Sequence, residues 1–154
     1  MNRAIGILGL SLLALPAHAE NLMQQVSGVW TLTSGAEQMP DGTKKVPWSA
    51  GELILDPSGH FAFFVFGPDR KAEGPPDPRT PIGPMVAYYG TFTADDAAKT
   101  LIYHVENASA STFNGVTRTQ YVTVTADTLT TKGSPVKTPQ GEITPINEWR
   151  RATR

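Results

Sequence analysis

Eight short runs of β-branched and aromatic residues, set apart by turn chemistry, leave this chain little choice except antiparallel sheet. They are residues 28–35 (GVWTLTSG), 51–56 (GELILD), 60–67 (HFAFFVFG), 85–93 (MVAYYGTFT), 100–107 (TLIYHVEN), 117–125 (TRTQYVTVT), 127–133 (DTLTTKG) and 141–151 (GEITPINEWRR). Pro57-Ser58-Gly59, Asp95-Asp96 and Ala126-Asp127 read as tight connections, and Gly133 to Gly141 as a longer turn. Strands joined by short turns pair antiparallel with their sequence neighbours. Only ENLMQQVSG, residues 20–28, carries a helical rhythm, enough for one or two turns before Gly28.

Eight meandering strands can close into a barrel, which removes both sheet edges and encloses side chains or one small ligand. A two-sheet sandwich is the competing architecture, but it needs long crossovers, and this chain has one long connection only, residues 67–84. Six of those eighteen residues are proline, which cannot donate to a ladder, and three acids cancel three bases. The segment reads either as a lid over the barrel mouth or as a surface excursion.

The first nineteen residues stand apart from this pattern. Arg3, an apolar run from Ala4 to Leu15, Pro16 and then Ala17-His18-Ala19 have the layout of a secretory signal cut after Ala19. A periplasmic or secreted protein is therefore expected, with residues 20–154 forming one domain. The chain has no cysteine, so packing and hydrogen bonds alone must hold it. A formal net charge of −1 argues against a nucleic-acid partner, and no segment is apolar for long enough to insert stably in a membrane.

Several motifs in order resemble the bacterial lipocalin-like domain family of small stand-alone proteins. They are SGVWTL with Gly28 and Trp30, then PDGTKKVPWSAGELILDPSGHFAFFVF, then YYGTFTADDAAKTLIYHVEN, then FNG before the next strand, so the likeness runs from about Val26 to Arg151. Gly-x-Trp resembles the opening of lipocalins, whose tryptophan is partnered by an arginine of a closing strand, here Arg150 or Arg151. Where the family carries an arginine further along the strand after FNG, this chain has Arg118 and then Gln120. The resemblance implies an all-β, antiparallel, eight-stranded up-and-down lipocalin-like barrel with a short N-terminal helical turn. It implies little about a reaction.

Candidate site residues follow from strand faces. In TLIYHVEN, Leu101, Tyr103 and Val105 share one face, and His104 and Glu106 share the other, which burial alone would turn to solvent. In the next strand Arg118 and Gln120 share a face with Val122 and Val124, which would carry them into the barrel near its mouth. Both orientations of His104 and Glu106 stay open, and the ligand-binding set is His104, Glu106, Arg118, Gln120, Tyr103, Phe64 and Tyr89. Such groups suit a small hydrophobic molecule with a polar end. Gly28, Trp30, Arg150 and Arg151 form the structural set.

Catalysis is the alternative: His104 beside Glu106 could serve an isomerase or cyclase as general base. No nucleophile motif accompanies the pair, so binding is favoured over catalysis, and neither a metal nor another cofactor is expected. A third reading starts from HFAFFVF, which is apolar on both faces. Its outward side would need cover from the helical turn, the long loop or another molecule, as in a homodimer or a partner complex, and a solid interior would make this a partner-binding or structural barrel with no ligand.

Overall fold

The computed structural model describes residues 20–68, 77, 79 and 83–153. The proposed export signal, and most of the long connection read as either a lid or a surface excursion, lie outside the described residues. Among the described residues a short helix, α1 (Leu22–Val26), leads into β1 (Gly28–Gln38), β2 (Lys44–Trp48), β3 (Ala50–Leu55), β4 (His60–Phe66), β5 (Met85–Asp95) and β6 (Thr100–Ala108). A 3₁₀ turn (Ser111–Phe113) precedes β7 (Thr117–Val124), β8 (Thr128–Gly133), β9 (Val136–Thr138) and β10 (Gly141–Arg151).

Strands β1, β3, β4, β5, β6, β7, β8 and β10 pair antiparallel in that order, and β10 returns to β1 to close an eight-stranded barrel. Each of the eight segments read from the sequence falls on one barrel strand. Two further strands extend the wall at the open end: β2 pairs with the last part of β1, and β9 with the first part of β10. The turn expected from Gly133 to Gly141 therefore contains a strand. Pro135 and Pro139 bracket it, and three residues are too few to show a period of two.

The end of the barrel where β1 begins is closed. Asn21 and Gln24 form a reciprocal capping box that starts α1, and Asp96 from the β5–β6 turn accepts the Leu22 N–H at 2.6 Å. Leu22 and Val26 are buried under the barrel, and Trp30 fills its floor with its indole N–H donating to the Val26 carbonyl at 2.7 Å. Arg151 is the arginine that lies over this indole, 4.0 Å from the ring centroid, whereas Arg150 is exposed on the outside. Gly28 adopts φ +136°, and a Cβ there would sit 2.8 Å from the Arg151 guanidinium. The Gly-x-Trp spacing thus lets the cation reach the ring.

Two irregularities decide which residues face inward nearer the open end. In β1 the register shifts between Leu32 and Ser34, so Trp30 and Leu32 point inward before the bulge, and Gly35 and Glu37 after it. Between β5 and β6 the register shifts beside Gly90, leaving Glu106 as the extra residue between Val105 and Asn107. Gly90 has to be glycine, because a Cβ there would collide with the His104 carbonyl oxygen. Phe61, paired with Gly90, stacks on the Tyr103 ring with the centroids 4.3 Å apart. Gly90→Ala should consequently cost about 2–3 kcal/mol of stability, read as a lowered denaturant midpoint with an unchanged slope.

Candidate functional site

The open end holds a cavity of about 150 Å³. Its walls are mostly apolar: Phe63 and Val65 of β4, Val86 of β5, Phe113 of the 3₁₀ turn, Val136 of β9, and Ile143 and Pro145 of β10. Trp48 covers one side, seated on the bare Cα of Gly35, where a Cβ would meet the tryptophan at 2.6 Å. The volume is well below the roughly 300–1,000 Å³ of ordinary ligand pockets and matches an engineered apolar cavity of about 150 Å³ that accepts a benzene ring. A single ring or a short branched chain is what fits.

Four polar side chains line this apolar space, Arg118, Glu37, Asn147 and Thr138, the last with its hydroxyl already donating to the Gly141 carbonyl at 2.7 Å. Arg118 sits opposite Tyr103 across the β6–β7 ladder, so its side chain shares the inward face of that tyrosine. Its guanidinium carbon lies 5.0 Å from the centre of the Phe113 ring and 5.7 Å from that of Tyr88, and the residue is half-buried. Two aromatic faces attract the cation and hold it in place. Among the described residues it forms no ion pair and donates no hydrogen bond. Its five donors are available to an incoming acceptor, in a fork that suits a carboxylate.

Below the cavity lies a layer of buried, stacked aromatic side chains. Tyr103 is 2 % exposed, and its hydroxyl is the one buried side-chain polar atom without a hydrogen-bond partner among the described residues. Tyr88 stacks on Phe63 at 4.5 Å and meets Phe61 edge-on at 5.9 Å. Burial pushes the Tyr88 hydroxyl up to about 12, against the opposing effect of the Arg118 charge. Burial first, and Tyr88 second, raise Tyr103 well above the usual phenol range, again opposed by Arg118.

The cavity also opens sideways. The β7–β8 ladder ends near Thr119, where Ser134 N–H donates to its carbonyl at 3.2 Å, and Pro135 then turns the chain away. The gap leads into an outer groove of about 710 Å³ between the 3₁₀ turn and β9, and Phe113, Arg118, Val136 and Thr138 line both spaces. Arg118 stands at the threshold between them.

The structure divides the sequence-derived candidates. Arg118 lines the cavity; Gln120, 5 % exposed, and Tyr103 point inward but lie in the packed layer beneath it. His104 and Glu106 do not face inward. Both are exposed on the outer wall, His104 Nδ1 lies 3.1 Å from Thr117 Oγ1, and no His–Glu pair forms. The strand follows the simple burial rule up to Val105, and the bulge then leaves Glu106 outside the ladder. Phe64 and Tyr89 are likewise on the outer face, where with Ala62 and Ala87 they line a shallow depression; Tyr89 is 51 % exposed. Phe64 and Phe66 are half-buried, so the second aromatic face of β4 is partly covered within the chain.

Strand alternation missed Glu37, because counting in twos from Trp30 places Ala36 inward and the bulge substitutes its neighbour. Thr33-Ser34-Gly35, three small residues in a strand with a glycine, is the sequence signal for such a bulge. Trp48 was missed because its short strand lies in a segment rich in turn residues. The chain matches no protein-family model and no curated protein.

Both buried phenols stay neutral in the fold at pH values where they would ionise in the unfolded chain. Their contribution to stability is therefore whole below about pH 10 and is lost above it, that of Tyr88 as pH rises through about 12. In an alkaline titration the phenolate absorbance should reach its full value for four tyrosines only as the barrel unfolds, and Tyr88→Phe should shift that unfolding to higher pH.

Proposed function

We propose that this protein binds a small, largely apolar molecule with an anionic end, such as a single-ring or short branched carboxylate, in the open end of its barrel. The observation that carries the reading is Arg118: an inward, half-buried guanidinium resting against two adjoining aromatic rings on the wall of an apolar cavity, with no carboxylate partner among the described residues. The ring or chain fills the cavity, and the anion meets the guanidinium at its threshold. Binding is favoured over turnover, because the His104–Glu106 pair that would have supplied a base is not assembled. The signal-like layout of residues 1–19 supports export, and the exposed Tyr89 beside Phe64 supports a homodimer through the outer wall as a secondary property.

Native mass spectrometry on protein recovered from its own export route tests all three points. The expected polypeptide mass is that of a chain starting at Glu20; a mass retaining residues 1–19 would overturn the export reading. A concentration-dependent doubling abolished by Tyr89→Ser is expected for the dimer, and a monomer at all concentrations would remove it. With benzoate or phenylacetate offered, we expect a one-to-one adduct that Arg118→Met weakens about tenfold or more and His104→Ala leaves unchanged. Equal binding by the Arg118 variant, or no binding by the parent protein, would sink the carrier reading.

A further inference from the structure

Glu37 lines the same small cavity as Arg118, from across the barrel. Between β1 and β7 stand only β10 and β8 on one side and four strands on the other, so the two side chains approach from well-separated parts of the wall. Glu37 is paired across the ladders with Pro145 of β10 and Lys45 of β2, yet among the described residues it forms no ion pair, with Lys45 or with Arg118. Lys45 is exposed, and Lys137 on the β9 side lies opposite Glu142 across its own ladder. The cavity therefore carries one unpaired charge of each sign, half-buried, with an apolar space between them.

A ligand with only an anionic end would satisfy Arg118 and face the Glu37 carboxylate across that space. A ligand with a cationic group at its far end would meet both. We infer that the ligand of this barrel is a dipolar molecule, a small apolar body with a carboxylate-type group at one end for Arg118 and an ammonium-type donor at the other for Glu37. The inference rests on the reading of Arg118 as an anion anchor. Glu37 then sets specificity: it attracts a charged donor and disfavours a second acid, as opposite and like charges do in a site partly shielded from water. The β1 bulge is what makes this possible, since without it the cavity would receive Ala36.

Two para-substituted benzoates separate the ideas. At neutral pH and physiological salt, 4-methylbenzoate carries the anion alone, and 4-(aminomethyl)benzoate adds an ammonium at the opposite end of the ring. Titration calorimetry of the exported protein should show the dipolar probe binding about tenfold or more tightly than the other. Glu37→Gln should abolish the difference while leaving 4-methylbenzoate bound at least as tightly, and Glu37→Asp should keep part of the preference, with unchanged near-ultraviolet circular dichroism as the check on folding. Equal affinities in the parent protein, or a preference that survives Glu37→Gln, would overturn the role of Glu37 and leave the anchor standing. Failure of both probes to bind, or no weakening of 4-methylbenzoate by Arg118→Met, would overturn the anchor and this inference with it.

Discussion

The barrel depends on a single guanidinium. Arg151 lies over the Trp30 ring while its Nε donates to the Ala126 carbonyl at 2.7 Å and its two terminal nitrogens to the Ser27 and Gln25 carbonyls, each at 2.8 Å. Those acceptors belong to the β7–β8 turn and to the end of α1, so one side chain near the C-terminus joins the helix, the first strand and a distant turn. The α1 carbonyls it meets have no partners within the helix, and a cation there also opposes the negative end of the helix dipole. A lysine could not make these contacts together, because its ammonium is a point charge without the planar fork. The clamp sits where β10 returns to β1, which is the pairing that turns a long sheet into a closed one.

Closing one end firmly leaves the other free to be irregular. Toward the closed end the interior is layered with Trp30, Trp149, Leu53, Leu55, Leu101 and Leu129, all essentially without exposure. Above them comes an aromatic layer of Phe61, Phe63, Tyr88 and Tyr103, and the side chains there stack rather than leave room. Above this layer lies the cavity, roofed by Trp48 and Phe113 from the added strand and the 3₁₀ turn. The site is thus carried on rigid strands from below and on short connections from above, an arrangement in which polar groups can be held in fixed positions around a small apolar volume. The orphan Tyr103 hydroxyl belongs to the aromatic layer, and burial keeps it neutral rather than ionised.

The positions of the polar groups come from local breaks in the strand pattern. The β1 bulge places Glu37 in the cavity, the Gly90 irregularity leaves Glu106 outside, and the early end of the β7–β8 ladder frees Arg118 from a neighbouring strand on one side. Each break is marked in the sequence by glycine or proline. None of them announces its consequence there, because a one-residue slip reverses the face of every side chain that follows.

Residue patterning alone determined the eight barrel strands, the helical turn before Gly28 and the face that Arg118 and Gln120 share with Val122 and Val124. These rest on local physics: strand alternation, turn chemistry and the cost of leaving large apolar side chains in water act within a few residues of one another. Tertiary structure decided which arginine meets Trp30, that His104 and Glu106 look outward, that Phe64 and Tyr89 lie on the outer wall, and that Glu37 shares a cavity with Arg118. Those outcomes depend on register between strands far apart in the chain, and register is fixed by the closure of the whole barrel, which no single segment contains.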